Sequence, residues 1–167
     1  MNDHARLISE MINYEAGNPQ RVHHFLKVYG FARAIGELEG LDANTQYILE
    51  AASIVHDIGI KPSVEKHGDD DGSLQEVEGP PLAEEMLSKL NFDDIVIRRV
   101  SYLVAHHHSY DNINGQDYQI LVEADFLVNI LEGNFAKAAI DDVYDNIFKT
   151  ENGKRFFEQM FYKGQKS

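Results

Sequence analysis

Apolar residues recur at helical spacing along nearly the whole chain, and this periodicity is the strongest constraint on its fold. One clear segment starts at Asn18 and Pro19, a pair typical of a helix N-cap and first helical position. Its apolar stripe runs through residues 22–35, until Gly36 and Gly40 weaken and end the helix. Strand-like alternation is scarce. The pattern predicts an all-α fold, a single-domain helical bundle of about six to eight helices.

Residues 62–81 interrupt this pattern. The segment is rich in Gly, Asp, Ser and Glu and carries no apolar stripe, so it predicts a long loop. The helix before it is expected to close near Gly59, with Pro62 preventing a restart. Pro80 and Pro81 are expected to start the next helix.

Composition excludes several classes of function. Cysteine is absent, so any metal ion must be held by nitrogen and oxygen ligands. The formal net charge of −13 disfavours binding to a nucleic-acid backbone. No run approaches the ~20 apolar residues of a membrane span, and the N-terminal residues lack the apolar core of a signal peptide. A cytoplasmic protein without membrane contact is expected.

A histidine and an aspartate stand side by side at the end of an apolar segment, at His56 and Asp57. Burying either side chain alone costs several kcal/mol, so each needs a hydrogen bond, an opposite charge or a metal ion. Successive helical residues point about 100° apart, and the two side chains can converge only near a helix end, which Gly59 supplies. On spacing alone, a buried hydrogen-bonded pair and a metal site are equally good interpretations.

Further polar residues lie in apolar surroundings. His24 lies on the apolar stripe of its helix, and Asp125 stands among Leu and Val, where an unpaired carboxylate would be costly. Glu123, two positions earlier, is expected on another face. Three consecutive histidines end another apolar helix, where two can face inward and the third outward: His106, His107 and His108.

The order of these residues resembles the HD-domain superfamily of metal-dependent phosphohydrolases. In that family a helix histidine is followed by an adjacent His–Asp pair and a distant Asp, which correspond here to His24, His56, Asp57 and Asp125. The resemblance implies that these four side chains bind a divalent metal ion. It covers residues from about 21 to 131 of one domain, 1–167, with C-terminal helices at 134–163.

The resemblance also implies a second ion in some relatives, with His106 and His107 as ligands and His108 as a bystander. Where relatives with two ions usually carry another histidine, this chain offers Glu78. Glu78 can bind the second ion, transfer a proton, or simply face water as a loop acid. A lysine often found directly after the His–Asp motif falls one residue later, at Lys61.

The implied activity is hydrolysis of a phosphomonoester or phosphodiester of a small metabolite, for example a nucleotide, by metal-activated water. One or two divalent ions are expected, from Fe, Mn, Co, Ni, Mg or Zn. Asp57 would bridge two ions; with one ion, His106 or His107 would act as general acid. Arg21 and Lys61 are candidates to bind the phosphate.

Two alternatives stay open: a di-iron oxygenase of the same fold and a module that binds metal or nucleotide without turnover. The C-terminal aromatic residues are expected to pack on their own domain. Packing on a second copy of the chain would instead give a homodimer.

Overall fold

The computed structural model describes residues 3–164, and within that range the chain consists of helices without a β-strand. The all-α prediction is confirmed. The described part contains α1 (Asp3–Tyr14), α2 (Pro19–Glu39), α3 (Ala43–Val55), α4 (Ile60–His67), α5 (Gly72–Lys89), α6 (Asp94–His106), α7 (Gln116–Glu132), α8 (Lys137–Asn146) and α9 (Glu151–Phe157), followed by a π-helical turn (Glu158–Tyr162).

The predicted limits of α2 follow from its capping residues. The side chain of Asn18 accepts a hydrogen bond from the Arg21 N–H, and Pro19 occupies the first turn. Gly40 ends the helix with a left-handed φ of 73°, a conformation that glycine adopts without a Cβ penalty. These caps fix the helix that presents His24.

The prediction of a long loop over residues 62–81 is wrong. Only residues 68–71 separate α4 from α5. Pro62 lies in the first turn of α4, where a missing N–H is tolerated, and Pro80 and Pro81 lie inside α5 rather than at its start.

The buried face of α5 explains why hydropathy did not reveal its N-terminal half. Gln75, Gly79 and Ala83 follow one another at intervals of four and are all buried. The first two lack the apolar side chains that mark a helical stripe. Tertiary packing therefore forms a helix where hydrophobic periodicity is weak.

Two glycines let α5 approach the turn between α3 and α4. A Cβ at Gly59 would lie 2.5 Å from the Gln75 carbonyl oxygen and 2.8 Å from the Gly79 nitrogen. A Cβ at Gly79 would lie 2.7 Å from Cγ1 of Val104 on α6. Backbone contact at these two positions fixes α5 beside the His56–Asp57 turn.

The core lies between α2, α3, α6 and α7. Helix α2 packs against α3 and α7, α3 also packs against α6 and α7, and α5 covers α6. At the C-terminal end, Phe157 is fully buried with its ring centroid 4.7 Å from that of Phe148, so this aromatic residue packs on its own domain. Among the described helices, none has the length and apolar character needed to cross a membrane.

Candidate metal centre

Four side chains from three helices and one turn meet in the interior. His24 comes from α2, Asp125 from α7, His56 from the end of α3, and Asp57 from the turn that follows. Nε2 of His24 lies 3.1 Å from Oδ2 of Asp57 and 3.2 Å from Oδ1 of Asp125. Nε2 of His56 lies 3.4 Å from each of the same two oxygens and 3.3 Å from Nε2 of His24.

These separations fit a shared cation. Metal–ligand bonds of about 2.1 Å place adjacent ligand atoms roughly 3.0 Å apart in octahedral geometry and roughly 3.4 Å apart in tetrahedral geometry. The buried Oδ1 of Asp125 has no hydrogen-bond partner among the described residues, although two imidazole nitrogens lie close to it. A buried polar atom without a donor calls for a ligand. The residues present therefore fit a divalent metal ion.

Hydrogen bonds on the far side of each ring orient the two imidazoles. Nδ1–H of His56 donates to the Ser53 carbonyl at 2.8 Å, and Nδ1–H of His24 donates to Oε2 of Glu132 at 2.9 Å. Glu132 also accepts a hydrogen bond from Lys27 at 2.8 Å. With Nδ1 engaged, Nε2 is the atom that each ring directs at the cation, and it binds a cation after losing its proton, the usual arrangement around metal-bound histidine.

The charges of this cluster stabilise one another. Burial by itself lowers the pKa of His24, but the neighbouring Asp125 and Asp57 carboxylates outweigh it and raise that pKa to about 10. The same carboxylates raise the pKa of His56 well above its usual value, against its complete burial. Burial alone would raise the pKa of Asp57, yet the surrounding histidines hold it well below its usual range. The two carboxylates thus attract positive charge, either as protons on the two rings or as a cation in place of those protons.

A second group of potential ligands shares Asp57. Its ligand atoms, from Asp57, His107 and His108, all lie within 4.8 Å of one another. Nδ1–H of His107 donates to the Val104 carbonyl at 2.9 Å, and its buried Nε2 lies 3.4 Å from Oδ1 of Asp57 without a hydrogen-bond partner. Nε2–H of His108 donates to Oε1 of Gln75 at 3.0 Å, and burial lowers the pKa of His108 to about 4. These two hydrogen bonds leave one nitrogen of each ring as a potential metal ligand.

Two predicted residues lie elsewhere. His106 belongs to neither group; its ring stacks on Tyr102 with centroids 4.2 Å apart, and Nδ1–H donates to the Tyr102 carbonyl. Glu78 also belongs to neither group and instead pairs with Lys66 at 2.6 Å and His67 at 3.2 Å, contacts that lower its pKa. The inward pair is therefore His107 and His108 rather than His106 and His107.

Helix termination explains this shift by one residue. Helix α6 ends at His106, and His107 is its C-cap, so the following residues leave the helical path and turn inward. Gln75 and Glu132 are not among the residues that the sequence predicts for the site. Both have a positional signal: Gln75 lies four residues before Gly79 on one face of α5, and Glu132 lies seven residues after Asp125 on one face of α7.

A cavity of about 620 Å³ opens onto the cluster. Arg21 lines it, with its guanidinium 3.9 Å from Asp57 and 3.7 Å from Asp70. Lys61, the other predicted phosphate ligand, lines a neighbouring cavity instead, and its ammonium donates to the Tyr14 carbonyl at 3.2 Å.

The fold and this centre together define an all-helical protein with a buried His/Asp site suited to a divalent cation. The family model of the HD domain matches residues 21–145, and the chain belongs to that family. Family membership supports a metal-dependent hydrolase and divalent metal binding.

A solved structure shows the same fold. It is the crystal structure of a predicted HD superfamily hydrolase from an uncultured Thermotogales bacterium, 23% identical, with a TM-score of 0.63. The match covers 93% of this chain and 82% of that chain. At this level of identity the likeness concerns the fold alone. A search of curated proteins finds no match.

Proposed function

We propose that the protein is a metal-dependent phosphohydrolase that acts on a phosphate ester of a small metabolite. The observation that carries this proposal is that Nε2 of His24 and of His56 each lie 3.1–3.4 Å from a carboxylate oxygen of Asp57 and of Asp125, beside a cavity lined by Arg21. A cation next to a guanidinium is a site for a phosphoryl group, because both neutralise its oxygens.

In this mechanism His24, His56, Asp57 and Asp125 would hold a divalent ion, which when bound would supply an activated water and polarise the phosphoryl group. Arg21 binds the phosphoryl oxygens beside Asp57 and orients the ester. The low pKa of His108, about 4, keeps this imidazole neutral near pH 7.

His107 and His108 support two arrangements. In the first, His107 and His108 would hold a second divalent ion together with Asp57. With one ion, the free Nε2 of His107 accepts the proton from the attacking water. His106 and Glu78 have no part in either arrangement, because both side chains are engaged away from the cluster.

The test combines metal content with turnover. Protein purified without chelator is analysed for Fe, Mn, Co, Ni, Mg and Zn per chain, and phosphate release is followed with an aryl phosphate and each ion in turn. Asp57→Asn should abolish turnover and bound metal, whereas Asp145→Asn, the same change at an exposed position on α8, should preserve both. Bound iron with oxygen consumption and no phosphate release would contradict the proposal and favour an oxygenase. Ligand-induced thermal stabilisation without turnover would contradict it in favour of a binding module.

A further inference from the structure

A second cavity of about 300 Å³ adjoins the metal cavity. Three residues line both: Asn18, Arg21 and Ile60. Arg21 therefore stands at the boundary, with its guanidinium directed toward Asp57. A phosphoryl group bound by Arg21 would have the second cavity immediately beside it.

Glu15 lines this second cavity and is only 6% exposed. Its carboxylate makes no hydrogen bond or ion pair with any residue of the described range 3–164. Burial raises the pKa of Glu15, while the positive charges of Arg21 and Lys61 oppose the rise. The carboxylate oxygens of Glu15 are not enclosed by protein, so they face the cavity as hydrogen-bond acceptors that a donor on a ligand can reach.

The neighbouring cations are already engaged by other groups. Arg21 lies near Asp57 and Asp70, and the Lys61 ammonium binds the Tyr14 carbonyl and lies 5.0 Å from the Tyr14 ring centroid. The second cavity therefore offers a ligand a free hydrogen-bond acceptor, the Glu15 carboxylate. An alcohol or ammonium group can supply the donor that it lacks.

The walls of the two cavities also provide little for a nucleobase. No Phe, Tyr or Trp lines the metal cavity, and the one such ring in the second cavity, Tyr14, has the Lys61 ammonium near its face. Recognition of an unstacked base relies on an aromatic, imidazole or guanidinium platform. The Arg21 guanidinium lies beside Asp57 and Asp70. His24 and His108 belong to the two ligand groups, which leaves the exposed His23. The lining instead favours a small, hydrophilic leaving group.

We propose that the second cavity receives the alcohol part of the phosphate ester and that the Glu15 carboxylate accepts hydrogen bonds from its hydroxyl or ammonium groups. The substrate class is then a phosphate ester of a small polyhydroxy or amino alcohol rather than a nucleotide. This inference rests on the proposed phosphohydrolase function and specifies its substrate.

The experiment compares Glu15→Met with wild type in the metal-loaded full chain. Methionine matches the length of glutamate and removes its acceptor oxygens. The esters are glycerol 3-phosphate, glucose 6-phosphate, phosphoethanolamine, adenosine monophosphate and p-nitrophenyl phosphate. We expect kcat/KM for at least one of the first three to exceed that for the nucleotide, and to fall about 10- to 100-fold in the variant. Hydrolysis of p-nitrophenyl phosphate, which has no donor in its leaving group, should stay within about threefold.

Glu65→Met is the matched control, because Glu65 lines the same cavity but is exposed. It should leave the preference among esters unchanged. An equal fall in kcat/KM for all esters in Glu15→Met would overturn the proposed role of the second cavity, and so would a wild-type preference for the nucleotide. Neither result would contradict the proposed phosphohydrolase function. Absence of phosphate release from every ester, p-nitrophenyl phosphate included, would instead overturn the proposed function itself.

Discussion

Helix α7 carries two buried carboxylates two residues apart, and their surroundings differ completely. Glu123 is fully buried and accepts hydrogen bonds from the backbone N–H groups of Lys149 and Thr150, from the Thr150 hydroxyl and from Gln119. Asp125 is 6% exposed, and its Oδ1 has no hydrogen-bond donor among the described residues. One carboxylate is satisfied by the protein, and the other lies among groups that can share a cation.

Under the proposed function, the difference separates a structural carboxylate, Glu123, from one that binds the ion, Asp125. Glu123 anchors the segment before α9 to α7, so its hydrogen bonds contribute to folding. Asp125 is placed where its charge repels Asp57 unless histidines or a cation intervene. Burial alone does not distinguish these roles; the identity of the hydrogen-bond partners does.

The largest effect is expected for Asp125→Asn. The amide keeps the shape of the side chain but removes the charge that faces the cation. Loss of partners one layer outside a metal site costs about 10- to 100-fold, so loss of a ligand should reduce metal affinity and phosphate release by about 100-fold or more. Metal analysis and phosphate release measure this change. Retention of both at wild-type levels would remove Asp125 from the centre.

Unlike Asp125→Asn, the substitution Glu123→Gln should lower the stability of the fold and leave metal binding unchanged. Its amide group would face backbone N–H groups that now donate to a carboxylate, so the free energy of unfolding should fall by about 2 kcal/mol. Urea denaturation measures the change, and metal content per chain should not alter. Glu151→Gln, an exposed substitution in the first turn of α9, is the control and should shift stability little. A normal urea midpoint in Glu123→Gln would contradict the structural role.

Metal affinity should fall as the pH is lowered. The Asp125 and Asp57 carboxylates raise the pKa of His24 to about 10, so a cation must displace a proton from this ring near pH 7. Each displaced proton costs about tenfold in affinity per pH unit. Chelator competition at pH 7.5 and 6.5 tests the slope, and equal affinities at the two pH values would contradict it.

The same pKa determines how the stability of the metal-free protein changes with pH. The His24 contribution to stability is fully present below its ordinary value of 6.5 and is lost as the pH rises through about 10. Added divalent cation should therefore stabilise the fold more at pH 8 than at pH 6.

The smallest effect is expected for Glu15→Met, which should increase the free energy of unfolding. Burial raises the pKa of Glu15, so its contribution to stability is present at acid pH and is lost as the pH rises through that pKa. Near pH 7 the variant should gain about 1 kcal/mol in the free energy of unfolding. Thermal denaturation at pH 7 and pH 4 tests this, with a smaller gain at pH 4. A loss of stability at pH 7 would place Glu15 with Glu123 among the satisfied carboxylates.

The sequence predicted the helical class and the residues that converge at the centre, because both depend on local signals. A histidine on an apolar stripe and an aspartate among Leu and Val have to find partners wherever the helices pack, as His24 and Asp125 do. The His56–Asp57 pair needed a helix end, and α3 ends there.

The predictions that differ from the structure concern features that depend on tertiary packing. Gln75 and Gly79 face inward on α5 only because Gly59 offers them a surface without side chains, which no local pattern encodes. The choice of His108 over His106 depends on where α6 ends, a boundary uncertain by one or two residues from sequence. Glu78 is predicted as a loop residue that can bind a second ion, transfer a proton or face water, whereas the structure places it within α5.

The contact between Gly59 and Gly79 has a consequence for how this centre can vary. A methyl group at Gly59 would meet main-chain atoms on α5, which cannot rotate away as a side chain can. The whole helix would have to move, carrying Gln75 away from His108 while His24 and Asp125 kept their places on other helices. Alanine at this position should therefore displace the ligands of the second group, through His108, more than those of the first group.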